Sequence, residues 1–177
     1  MTTDHDSQRA IRDAHDRLDA VLTKRPEFGR DTERSVSTVD GGLRCTSQEG
    51  AWRFETDLPD TLGGEGSGPS PGVLGRAALG SCLAIGYQMR AARLGVPVTS
   101  VRVEIEADYD VAGMLSPEAE ARPGYSEVRY HVTVESDAPK ADIQRVIDEG
   151  DLLSPYLDVF SATTPMQRSV SILPPRS

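Results

Sequence analysis

The chain has 177 residues, 37% of them hydrophobic, and sets 28 acidic side chains against 19 lysines and arginines for a net charge of −9. A chain of this length suits one domain that builds its core without staples, and the negative balance argues against a phosphate backbone, so no nucleic acid partner is expected. The most apolar stretch, Ala77 to Ile85, is far shorter than the ~20 residues of a membrane span, and the polar first residues hold no apolar signal core. No membrane association is expected; a cytoplasmic location is, where both cysteines remain reduced thiols.

From Ala10 to Leu22, the residues Ile11, Ala14, Leu18, Val21 and Leu22 recur at steps of three and four, which predicts an amphipathic helix ended by Pro26. Val36 to Val39, Leu43 to Ser47 and Ala51 to Thr56 are short runs divided by Asp40-Gly41-Gly42 and Glu49-Gly50, the pattern of a three-stranded meander. Residues 58–71 are rich in glycine and proline and read as a loop. A long helix follows, with Ser70 as N-cap, Pro71 in the first turn, and an end at Leu94 set by Gly95 and Pro97. Apolar residues cover every side of its first half, which predicts burial all round, and Gly75, Gly80 and Gly86 predict a close neighbour, a second copy of the helix being one candidate.

Val101 to Tyr109 and Glu127 to Val134 alternate apolar and polar residues, two strands with one wet face each. The segment between them, Asp110 to Gly124, reads as a lid or a crossing arm. Pro139 to Glu149 predicts a helix with Ile143, Val146 and Ile147 inward, followed by a short helix from Ser154-Pro155 and a last strand over residues 166–173. Strands packed on one side by a central helix make an α+β fold. The expected organisation is an N-terminal helical arm, residues 1–34, and one domain over residues 35–177.

Gly68-Pro69-Ser70-Pro71-Gly72 matches the G-x-S-x-G nucleophile elbow in letters only. The elbow's oxyanion hole uses the N–H of the residue after the serine, and Pro71 has none. The glycine run 63–68 lacks the lysine of a phosphate loop and reads as a flexible entry to the helix. His5, His15 and His131 are scattered without ligand spacing, so no metal and no cofactor is expected. Cys82 is the residue on which chemistry centres. It is either a small buried hydrophobe or a nucleophile, and the second requires a nearby cation, because the helix dipole fades within the first turn and Cys82 lies eleven residues past Pro71. Cys45 is either a buried strand residue or a second thiol for Cys82.

Leu62-Gly63-Gly64 through Gly68-Pro69-Ser70-Pro71 into Ala77-Ala78-Leu79-Gly80-Ser81-Cys82-Leu83-Ala84, then Arg122-Pro123-Gly124-Tyr125 before a strand and Ser154-Pro155-Tyr156-Leu157-Asp158 after a helix, resembles the OsmC/Ohr family of osmotically inducible and organic hydroperoxide resistance proteins over residues 35–173. The resemblance implies antiparallel sheets wrapped around a long central helix, in an intertwined homodimer with two sites at the subunit interface. It also implies a mechanism in which the helix thiolate, matched by Cys82, reduces an organic hydroperoxide and is regenerated by a thiol or dithiol. The family's second cysteine is replaced by Ser154, and the glutamate after the helix-opening proline by Gly72. Its activating arginine falls near Asp57, leaving Arg53 or Arg76 as substitutes. The expected site is therefore Cys82 as the catalytic group with Ser154, Arg53 and Asp57 in binding roles. The expected function is that of an OsmC-like stress protein reducing organic hydroperoxides. The alternative is a dimeric binding protein for a small hydrophobic or acyl ligand, and a partner-binding role for the N-terminal helix is a third reading.

Overall fold

The computed structural model describes residues 4–174. Helix α1 (Asp4–Lys24) and a 3-10 turn (Pro26–Gly29) precede the antiparallel meander β1 (Val36–Val39), β2 (Cys45–Glu49) and β3 (Trp52–Thr56). After the glycine-rich loop comes the 24-residue α2 (Pro71–Leu94), then β4 (Ser100–Asp108), the single-turn α3 (Ala112–Leu115), β5 (Glu127–Glu135), α4 (Lys140–Leu152) and α5 (Pro155–Ser161). β4 and β5 pair antiparallel, with Val103 opposite Val132 and Ile105 opposite Tyr130. The architecture is α+β, with α2 as the hub on which α1, α4, α5 and β4 all pack.

Local chemistry sets both ends of α2. Pro71 has no N–H to leave unsatisfied in the first turn. At the other end Gly95 adopts φ 68°, Val96 N–H reaches back to Ala91 O at 3.0 Å and Gly95 N–H to Ala92 O at 3.3 Å, a Schellman stop. Ser70 sits at the N-cap position, but its side chain makes no capping bond. Leu79, Leu83, Tyr87 and Val146 are almost entirely buried and form the core with Val96 and Val98. Full burial of each such aliphatic side chain stabilises the fold by about 1.5–3 kcal/mol.

The helix is not buried all round. Ala77, Ser81 and Ile85, four residues apart, form an exposed stripe, with Ile85 60% accessible. Of Gly75, Gly80 and Gly86 only Gly80 meets a close neighbour, where an added Cβ would lie 3.2 Å from Ile105 Cγ1; Gly75 and Gly86 face open space. One protomer surrounds α2 with α1, α4, α5 and β4 but leaves this stripe uncovered. The expected last strand is absent as well: residues 166–173 pair with no strand, and Met166 and Ile172 are almost fully exposed. An alternating pattern makes a strand only beside an edge that completes its hydrogen bonds, and no edge of this protomer meets it. The expected lid 110–124 holds α3, where Gly113 passes so close to the Arg122 carbonyl that a Cβ would lie 2.3 Å from its oxygen. Among the described residues, no helix is long and apolar enough to cross a membrane.

Candidate functional site

Cys82 lies on the face of α2 that also carries Gly75, Gly86 and Arg93, separated by whole numbers of turns. That face opens into a cavity of about 520 Å³ between α1, α2 and the start of α5. Its walls are largely apolar, with Leu18, Ile85, Met89, Leu153 and Pro155; Cys82, Ser154 and His15 line it as well. Ile85 and Leu153 are exposed, so the cavity is open on one side.

The start of α5 brings Ser154 to the thiol. Ser154 is buried, its Oγ accepts the Leu157 N–H at 3.2 Å as an N-cap, and the same Oγ lies 3.6 Å from Cys82 Sγ. The Ser154 hydroxyl, which accepts from the backbone, keeps a proton it can donate to the sulfur, although either atom can be the donor of this contact.

Two arginines border the cavity, and both are matched. Arg93 pairs with Asp19 at 2.5 Å, and its hydrogen bond holds the Asp19 carboxyl below the usual carboxylate range. Arg90 pairs with Glu149, whose carboxyl is held low first by Arg145 and then by Arg90. Behind this wall Asp151 accepts hydrogen bonds from Tyr87 at 2.5 Å and Tyr130 at 2.9 Å.

The other expected site residues stand elsewhere in the protomer. Asp57, 2% exposed, accepts from the N–H groups of Leu58, Glu65 and Ser67 and from the Ser67 hydroxyl, so it organises the glycine-rich loop. Those donors, foremost the Ser67 backbone N–H, hold its carboxyl low against the cost of burial. Arg53 is exposed on β3 and pairs with Glu55 at 3.6 Å. Arg76 points away from the Cys82 face and donates to Tyr125 Oη at 3.1 Å, which donates in turn to Gly72 O. Tyr125 stacks on Phe160 beside a second cavity of about 510 Å³ that holds no cysteine. Cys45 lies in the meander opposite Val39 and Thr56, and both thiols are free. Thus the protomer joins Cys82 to Ser154 and sets Arg53, Asp57 and Cys45 apart from them. Sequence reasoning passed over His15; the signal was its place in the α1 stripe, four residues after Ile11 and three before Leu18.

Residues 64–168, more than half of the chain, match the family model described as OsmC-like protein. Among curated protein sequences none matches. Among solved structures, an OsmC-like protein of Mycoplasma pneumoniae is similar at 13% identity, covering 73% of this chain and 87% of that one with a TM-score of 0.62. An organic hydroperoxide resistance protein OsmC from Legionella pneumophila is similar at 17% identity over 74% and 90% of the two chains, TM-score 0.56. One from Elizabethkingia anophelis is similar at 18% over 75% and 89%, TM-score 0.55. At these identities the likeness is one of fold.

Proposed function

The chain belongs to the OsmC-like family, and on that footing we propose that it is a thiol-dependent reductase of organic hydroperoxides acting through Cys82. The observation that carries this reading is the Cys82 sulfur at the edge of an apolar cavity with the Ser154 hydroxyl 3.6 Å away. The Legionella and Elizabethkingia proteins of the same fold, named for organic hydroperoxide resistance, support it.

In the proposed step the Cys82 thiolate attacks the terminal oxygen of R–O–O–H. An S–O bond forms as the O–O bond breaks; sulfur is oxidised to the sulfenic acid, and the departing alkoxide takes a proton and leaves as the alcohol. Two equivalents of an external thiol, or one dithiol, then return the sulfenic acid to the thiol, releasing water and a disulfide. The reductant is external because Ser154 occupies the neighbouring position with oxygen instead of sulfur. Such a cycle fits a reducing cytoplasm. The protein acts as a homodimer in this reading: the exposed Ile85 stripe of α2 and the unpaired segment 166–173 are the surfaces a second copy would cover.

Purified protein mixed with cumene hydroperoxide and dithiothreitol should turn over, and Cys82→Ser should abolish turnover. Equal background consumption by both proteins rejects the reading.

A second reading is favoured by the pairing of Arg90 and Arg93 with Glu149 and Asp19, which leaves no unmatched guanidinium at the cavity to activate the thiol. In it the cavity retains a small hydrophobic or acyl molecule without turnover. Native mass spectrometry of the purified protein should then detect a retained mass; a ligand-free protein that also fails to take up added acyl compounds counts against it.

A further inference from the structure

Helix α1 walls the Cys82 cavity with His15, Leu18 and Asp19, and three contacts fix it there. Gln8 Nε2 donates to Val96 O at 3.1 Å, Arg12 Nε donates to Ala92 O at 2.9 Å, and Asp19 pairs with Arg93. Two of these contacts reach backbone carbonyls where α2 ends, Ala92 in its last turn and Val96 just beyond it. His15 lies between Arg12 and Asp19 on the tethered stretch, so its place at the cavity is set by the docking of the whole helix.

The Nδ1 of His15 is buried and has no hydrogen-bond partner among the described residues. A buried ring N–H without an acceptor carries the full desolvation penalty of a lost donor. In the neutral imidazole the proton therefore belongs on Nε2, the nitrogen that is not sealed, and no protein acceptor meets it among the described residues.

We propose that His15 Nε2–H recognises the oxygen head of an uncharged, apolar small molecule in this cavity, which makes the N-terminal helix part of the site. The head is uncharged because both arginines lining the cavity, Arg90 and Arg93, are already engaged by Glu149 and Asp19, so neither guanidinium is left without a carboxylate for an anion to replace. The body is apolar because the walls are. The cavity volume falls in the range of small-molecule sites. The proposal deepens the reductase reading, on which it rests for the nature of the physiological head group, an O–O–H; the recognition itself requires no sulfur chemistry.

Two probes of matched shape separate these parts: cumyl alcohol, which carries one hydroxyl, and cumene, which carries none. Each is titrated into the full chain, into His15→Phe and into His15→Gln, which keeps an N–H. Cumyl alcohol should bind about tenfold more weakly to His15→Phe, cumene should bind both proteins equally, and His15→Gln should recover most of the loss. Equal weakening of both probes, no weakening of either, or no binding to the parent protein overturns the proposal. Absent turnover with the alcohol-specific loss intact strikes the reductase reading alone.

Discussion

The sulfur of Cys82 and the oxygen of Ser154, 72 positions apart in the chain, stand 3.6 Å from each other where α2 meets the N-terminus of α5. A thiol at position 154 would therefore face Cys82 directly. Ser154→Cys, with three cysteines in the chain, is expected to leave one titratable thiol, Cys45, after mild oxidation, and to regain three on reduction. Three thiols persisting through oxidation would show that the two side chains do not meet in solution.

Ser154 also caps α5. Ser154→Ala removes the acceptor of the Leu157 N–H and is expected to lower stability by about 1 kcal/mol, read as an earlier urea midpoint with an unchanged slope. Ser154→Thr, which keeps the hydroxyl, should lose less.

Gly150 of α4 lies against the Tyr87 ring, where an added Cβ would sit 2.5 Å from Cδ1 and 2.9 Å from Cε1. Alanine is the better helix former by about 1 kcal/mol, but the ring is fully buried and has no room to retreat. Gly150→Ala is expected to destabilise the fold by about 1–3 kcal/mol, and combining it with Tyr87→Leu should cost less than the sum of the two single changes. Additive losses would mean that the ring and the glycine are independent.

At alkaline pH the two tyrosines on Asp151 set the stability. Burial, followed by the hydrogen bond to Asp151, raises the Tyr130 phenol to about 12, and the same causes raise Tyr87 further. A raised folded value means that the unfolded chain loses its protons first, so the contribution is complete below about pH 10 and declines as pH rises toward 12. Tyrosinate absorbance from Tyr87 and Tyr130 should appear only above the ordinary phenol range, and Tyr130→Phe should flatten the stability decline. A decline unchanged by Tyr130→Phe would remove Tyr130 as a source.

Asp57 acts at the opposite end of the scale. Its carboxyl is held low, chiefly by the Ser67 backbone N–H, so its contribution is present at neutral pH and is lost as pH falls below the unfolded value of about 3.9 and through the lower folded one. Asp57→Asn should melt earlier than the parent at pH 7, and the gap should narrow at pH 3. A gap of the same size at both values would show that the charge is not what holds the loop. Gly64 belongs to the same loop, where a Cβ would lie 1.9 Å from Leu58 O.

What was legible in the sequence is what local chemistry decides. Helix hydrogen bonds run between residues four apart, so Pro71, Gly95 and Pro97 delimit α2 without reference to the rest of the chain. The alternation of 101–109 and 127–134 marks two strands with one wet face each, and the small residues around Cys82 carry the family resemblance. The tertiary structure alone decided which groups meet. Strand bonds join distant segments, so the alternating residues 166–173 remain unpaired where no edge receives them. Asp57, expected in a binding role, accepts from backbone donors of its own loop, and Ser154 and His15 reach the Cys82 cavity from opposite ends of the chain. Those distances follow from how α1 and α5 pack on α2, and packing across 67 and 72 positions leaves no periodic trace in the order of the amino acids.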